Sequence, residues 1–310
     1  MPLSHRLRNA LHSALMFGGM LGLLALLAAL LGGPQLVPGI MLGGLLLLAA
    51  AARVSPRWIL GLYGARRLNP VDAPGLFQLR DELAGRAGLE RTPTLYYIPT
   101  PVLNAFSVGH RGDAAIGLSD GLLHKLPPRE LAGVLAHEIT HIRHNDVWVM
   151  TLADILGQIT RTLSLFGQLL LLLNLPLLLL AEAHVPWSAI LLLIAAPWLS
   201  ILLQLGLSRS REFSADFGAI ELTADPEGLA QALTLLETQQ PAPFAQRARI
   251  RSEPSLLRSH PITEQRISRL RELARNAEYS PDPAEPHTPH PGWQRAEHRP
   301  RRRWFSGFWH

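Results

Sequence analysis

Residues 130–150 read ELAGVLAHEITHIRHNDVWVM, with HEITH at 137–141. On a helix, residues four apart share a face, so His137 and His141 can direct their imidazoles at one ion. Glu138 then stands beside them, placed to take a proton from a water at that ion. With this chain's His and Glu frequencies the pattern arises by accident on the order of 0.03 times per chain, so its surroundings must decide.

Those surroundings are apolar. The 310 residues are 48% hydrophobic with mean hydropathy +0.15. Residues 14–31, 36–52, 163–181 and 185–207 are apolar stretches long enough, or nearly so, to cross about 30 Å of hydrocarbon. They pair as two hairpins, which predicts a multi-pass membrane protein with about four transmembrane helices. A secretory leader is the competing reading of the first stretch, since Arg6 and Arg8 precede it. Its length, the missing A-x-A site and the second span that follows at once argue against that. Gln168, Asn174 and Pro176 interrupt the third stretch without charge, which predicts a kink or an interhelical hydrogen bond rather than a transport path.

Arginine placement predicts the orientation, because basic residues near span ends stay in the cytoplasm. Arg6 and Arg8 precede the first span, Arg53, Arg57, Arg66 and Arg67 follow the second, and Arg209 and Arg211 follow the fourth. The turns GGPQ and EAHV carry no Arg or Lys. Both tips are therefore expected away from the cytoplasm, with both termini and the HEITH segment inside. The net charge of +5 rests on arginine, Lys125 being the only lysine, and suits a bilayer face rather than nucleic acid. With no cysteine, disulfides and thiolate ligands are excluded, and any zinc site must use His and carboxylates.

The expected order is a cytoplasmic N-terminus at 1–12, hairpin one at 13–53, a soluble part at 54–160, hairpin two at 161–207, a second soluble part at 208–279 and a disordered tail at 280–310. The fold class is α+β, predominantly helical. TPTLYYIP, LNAFSVG and DAAIGLS read as three short strands, with HRGD turning between the last two. Ser119 caps a short helix, and Pro127 and Pro128 open the HEITH helix, expected to run to about residue 156. The strand DAAIGLS is expected to be the edge on which an extended substrate adds. After the fourth span, SRSREFSAD and HPITEQRISRLREL are both read as helical.

A catalytic zinc takes three protein ligands and keeps one position open. His144 shares the face of His137 and His141, but lies about 10 Å along the axis from His137, out of reach unless the helix breaks. The other option is a Glu on a second helix with an Asp four residues on to orient a ligand histidine. ExxxD occurs three times, as EFSAD, ELTAD and EYSPD. Proline breaks the last, and the Asp of ELTAD precedes Pro226 and reads as a helix cap. Glu212 and Asp216 alone sit in uninterrupted helix, with Ala215 and Ala219 beside them allowing close packing. A solvated surface pair next to Arg209 and Arg211 is the competing reading.

Together, HEITH, NAF at 104–106, SRSREFSAD at 208–216 and HPITEQRI at 260–267 make the chain resemble the HtpX-like membrane zinc peptidases, over about residues 1–275. More distantly it is similar to the CAAX-processing zinc proteases. The resemblance implies a gluzincin-type α+β catalytic domain joined to membrane helices, with the site facing the cytoplasm of a bacterial inner membrane and one zinc per chain. It implies His137, His141 and Glu212 as metal ligands, Glu138 as general base and Asp216 as partner of a ligand histidine. It further implies that His260 and Asn104 reach the cleft to stabilise the tetrahedral intermediate or hold substrate backbone. Read alone, His260 is a helix-entry residue and Asn104 a turn residue. Asn145-Asp146 matches a polar stretch of the family and is read only as a buried ion pair or helix-ending contact.

The expected function is zinc-dependent endoproteolysis of misfolded or unassembled membrane proteins, a quality-control task in stress response, with extended polypeptide and the lipid bilayer as partners. Narrow processing of one substrate, and a catalytically silent scaffold of the same fold, are the alternatives. The intact HEITH, Glu212 and Asp216 argue against the scaffold. The tail after Ser280, with Arg301, Arg302, Arg303, Trp304, Phe305, Phe308 and Trp309, departs from many relatives and is read as disordered or as a contact for anionic membrane.

Overall fold

The structure is a computed structural model that describes residues 3–51, 55–180, 187–238 and 264–275. The expected tail at 280–310 and His260 lie outside these residues.

Four apolar helices form a bundle: α1 (Leu3–Gly32), α2 (Leu36–Ala51), α7 (Asp146–Leu180) and α8 (Trp187–Thr223). Glycines let them approach and fix their sense. A Cβ on Gly206 would meet Met16 Sδ at 3.2 Å, whereas one on Gly167 would meet both Leu193 and Leu31. The start of α1 is thus level with the end of α8, and the end of α1 with the first turns of α8. Among the described residues α1, α7 and α8 are long and apolar enough to span a bilayer. The 16 residues of α2 reach only about 24 Å, so the second of the four expected spans is short on its own.

Inside α8, Pro197 has no N–H to give the carbonyl of Leu193. The Ser164 hydroxyl and Gln168 Nε2 (2.9 Å) of α7 donate to that carbonyl instead. Gln168 therefore makes the interhelical bond that its polar character predicted, while Asn174 Nδ2 bonds within its own helix to Leu170 O at 2.8 Å.

Between the hairpins lies a four-stranded sheet of β1 (Arg66–Arg67), β2 (Thr94–Ile98), β3 (Ala105–His110) and β4 (Asp113–Ser119), in the order β1-β2-β4-β3. The expected edge strand, β4, is central: it pairs parallel with β2 and antiparallel with β3, from Ala105 opposite Leu118 to His110 opposite Asp113. The edge on that side is β3. One sheet face carries α4 (Pro74–Arg86) and α6 (Pro128–His144), with Leu95, Ile116 and Leu118 meeting Leu131, Leu135 and Ile139. The other is roofed by α3 (Pro56–Gly61), whose Leu60 packs on Ile98, Phe106 and Val108. Ser119 caps α5 (Asp120–Lys125) by accepting from Leu122 N–H at 3.2 Å, as its position predicted. The remaining helices among the described residues are α9 (Pro226–Thr238) and α10 (Glu264–Arg275).

One boundary differs from expectation. The HEITH helix stops at His144, because Asn145 adopts the left-handed conformation (φ 55°, ψ 32°) that Asn tolerates better than most residues. A new helix starts at once with Asp146. Conversely, α7 runs unbroken past residue 161 and α8 past residue 207, so each apolar span continues as one helix into the soluble part.

Candidate active site

His137, Glu138 and His141 occupy the buried side of α6, and Glu212 and Asp216 that of α8, each at most 5% exposed. The two helices touch through small residues. Ala215 and Ala219 are fully buried as their size predicted, and Gly218 permits the closest approach, since a Cβ there would lie 2.3 Å from Thr140 Cγ2. The reading of Glu212 and Asp216 as a solvated pair fails on this burial.

Three ligand atoms converge. His137 Nε2 and His141 Nε2 are 3.1 Å apart, and the Glu212 carboxylate lies 3.4 Å from the first and 3.7 Å from the second. Zinc bonds of about 2.0–2.1 Å at tetrahedral angles place ligand atoms about 3.3 Å from one another, so the spacing suits a zinc-sized ion. Carboxylates behind both rings direct the remaining nitrogens toward that point. Asp216 Oδ1 is 3.1 Å from His137 Nδ1, and Asp146 Oδ2 is 2.9 Å from His141 Nδ1. With Nδ1–H donated backward, each Nε2 presents its lone pair forward.

The charge points the same way. Of four buried carboxylates, Asp146 pairs with Arg211 and Glu212 and Asp216 with Arg266, while Glu138 stands beside them, an acid-rich interior that suits a cation. Burial opposes a charged His137, but the carboxylates of Asp216 and Glu212 prevail and raise its pKa above the ordinary imidazole value. The donor set of two imidazoles and a carboxylate, without thiolate, is one zinc accepts in hydrolytic sites.

Arg266 was not singled out in the sequence. It sits on α10 and is 2% exposed. Its Nε and Nη2 donate to Asp216 at 2.7 and 2.6 Å, and its Nη1 lies 2.8 Å from Glu212 Oε2. Its signal was its place in HPITEQRI, where an amphipathic helix reads most easily as offering its Arg to water. Asp146 gains a definite position behind His141, and Arg211 Nη1 holds its other oxygen at 3.1 Å.

Other sequence readings are sorted by the same geometry. His144, the last residue of α6, is not part of the convergent group, and burial lowers its pKa. Glu221 pairs with Arg143 at 3.1 Å, and Asp225 caps α9 by accepting from Gly228 N–H at 2.9 Å, so ELTAD is a helix junction. EYSPD lies outside the described residues. Asn104 stands just before β3, its backbone paired with Ser119.

Residues 71–274 match the sequence profile of peptidase family M48. The chain is 37% identical over 294 aligned residues to a protein named Protease HtpX homolog from Acaryochloris marina (strain MBIC 11017), covering 84% of this chain and 95% of that relative. A protein of the same name from Persephonella marina (strain DSM 14350 / EX-H1) is 32% identical over 304 residues, covering 86% and 98%. One from Ralstonia pickettii (strain 12J) is 31% identical over 246 residues, covering 73% and 82%. With membrane-length helices, a buried group fit for a metal and these relatives, the chain belongs to peptidase family M48 and is an HtpX-like membrane metallopeptidase.

Proposed function

We propose that the protein is a zinc endopeptidase that cleaves extended segments of misfolded or unassembled membrane proteins at the cytoplasmic face of a bacterial inner membrane. The carrying observation is the buried meeting of His137, His141 and Glu212, with a carboxylate behind each histidine. These three residues would hold the zinc, which when bound supplies Lewis-acid chemistry by acidifying a water and polarising the scissile carbonyl.

The chain's own groups do the rest. Glu138, buried beside the ligands, takes a proton from the attacking water and delivers it to the leaving amine. Asp216 and Asp146 hold the two imidazoles in one tautomer and orientation. Because both edges of β4 are occupied, the strand that receives substrate is β3, which packs on α6 and leads out of Asn104. Asn104 would hold substrate backbone, and His260 would steady the developing oxyanion. Substrate that must add as a strand has to be extended, which favours unfolded over folded protein. Arginine placement supports the cytoplasmic orientation: cysteines introduced singly at residues 182–185 should react only from the opposite side.

The test compares metal content and casein cleavage for purified full-length wild type, Glu138→Ala and Glu212→Ala. The expected result is about one zinc per chain in the first two, reduced zinc in the third and cleavage by wild type alone. Full zinc in Glu212→Ala would move the third ligand elsewhere, and wild-type cleavage by Glu138→Ala would remove the general base.

A further inference from the structure

The short helix α3 has two unlike sides. Inward, Pro56 and Leu60 are buried: Leu60 on the sheet, and Pro56 so close to Gly109 that a Cβ there would meet its Cγ at 2.7 Å. Outward, Trp58 is 64% and Leu62 60% exposed, one turn apart on the same side. Gly61 lies between them with open space where a side chain would be; Arg57 on the helix is exposed, as are Arg66 and Arg67 a few residues farther along the chain. An exposed Trp and Leu bordered by arginines is the make-up of a segment lying in a membrane interface, ring and aliphatic chain among the headgroups and guanidiniums on phosphates.

Chain connectivity puts α3 where such a surface exists. Four residues separate Ala51, the end of α2, from Pro56, and the five steps between them span no more than about 18 Å. The apolar α2 leaves Leu42, Leu45 and Leu46 exposed while Gly44 abuts Ile159 of α7, as expected of a helix packed on the bundle with lipid on its other side. The end of a lipid-facing helix, exposed arginines and a Trp–Leu face thus follow one another between residues 51 and 67.

We propose that the outer face of α3, with Arg57, Trp58 and Leu62 at its centre, lies in the headgroup layer of an anionic bilayer and fastens the catalytic sheet to the membrane surface. Since Leu60 on the inner side touches Phe106 and Val108, one layer of side chains then separates lipid from β3. A segment leaving the bilayer would meet β3 directly. That last consequence rests on the proposed substrate-binding strand, whereas the lipid contact does not.

The natural absence of cysteine makes the test specific. Leu62→Cys, Gly61→Cys and, as an exposed control outside the Trp–Leu face, Glu90→Cys are labelled with an environment-sensitive fluorophore in the full chain. Each is reconstituted into phosphatidylcholine vesicles with and without phosphatidylglycerol, containing lipid spin-labelled at the headgroup. Blue-shifted emission and several-fold stronger quenching at 61 and 62 than at 90, increased by phosphatidylglycerol and weakened by salt, is the expected result. Quenching no stronger than at 90 overturns the proposal. So does a shielded probe that lipid does not quench, as a second copy or another protein on this face would produce. Indifference to phosphatidylglycerol overturns the anionic site. Because Gly61 has free space at its Cβ, its variant remains informative if Leu62→Cys folds poorly.

Discussion

Removing the Asp146 carboxylate should weaken zinc binding without touching a ligand. Asp146 is 1% exposed, and its Oδ2 is the acceptor behind His141 Nδ1 at 2.9 Å. Loss of such a partner typically lowers metal affinity about 10–100-fold, or about 1.4–2.7 kcal/mol. The two obvious variants should fall at different ends of that range. Asp146→Asn keeps an amide oxygen that can accept from His141 but loses the charge and turns an NH2 toward Arg211 Nη1, so at least about tenfold is expected. Asp146→Ala leaves a buried donor without its acceptor and frees the ring to rotate, so about a hundredfold is expected. Arg211→Met, which releases the other carboxylate oxygen, should shift affinity in the same direction by less. The assay is competition for zinc against a chelator of known affinity with the full-length protein in detergent, and thermal melting checks that each variant is folded. Glu82→Ala, which removes an exposed pair with Arg86, serves as the control. A folded Asp146→Ala protein with wild-type zinc affinity would refute the orienting role.

Three further outcomes follow from contacts around the site. Arg266→Met should destabilise the metal-free protein by about 3–5 kcal/mol, because it strands the Asp216 and Glu212 carboxylates in the interior, and added zinc should recover part of the loss in a thermal melt. Gly218→Ala should cost about 1–3 kcal/mol and loosen zinc, since its new methyl occupies the space of Thr140 beside His141; unchanged melting and metal retention would show that the helices can part there freely. Burial would raise the Asp225 pKa, but the Arg129 hydrogen bond and the Gly228 N–H outweigh it and hold it below the ordinary carboxylate value. Its contribution to stability is therefore present at neutral pH and lost as pH falls from the ordinary carboxylate range through the lowered native value. Asp225→Asn should melt below wild type at neutral pH and approach it in acid, and a constant difference across that range would exclude the pair as the cause.

His137, Glu138, His141 and Glu212 were legible because helical spacing places a pair on one face and proline eliminates the competing ExxxD segments. Asp146 was not. On a continuous helix, five residues turn a side chain about 140° away from His141, and only the left-handed Asn145 swings it back. That conformation belongs to one residue and leaves no periodic trace. Arg266 was hidden for another reason: its partners lie 50 residues or more upstream, and an Arg on a polar helix is ordinarily solvated. The edge role given to β4 was a misreading, because the last of three successive strands is easily taken for the outer one. In fact β4 inserts between β2 and β3, a parallel pairing that no local pattern reports. The segment limits near 161 and 207 followed composition, which changes where apolar residues end, while the helices continue because backbone hydrogen bonding does not depend on that change.

Continuity of those helices bears on how the enzyme can work. α7 begins with the residue behind one proposed ligand histidine, and α8 carries in its last third the proposed third ligand and the residue behind the other histidine. Farther along, Ser164 and Gln168 of α7 hold the Leu193 carbonyl that Pro197 opens in α8, so the pair is fastened at two levels. A rotation or slide of one apolar helix against the other would be carried along rigid helix to Asp146 or Glu212, where a shift of about 1 Å is a large fraction of a zinc–ligand bond. The membrane hairpin is on this account a structural half of the metal centre. A fragment cut free of it would lack Glu212 in place, and agents that loosen α7 from α8 should release metal before they unfold the sheet.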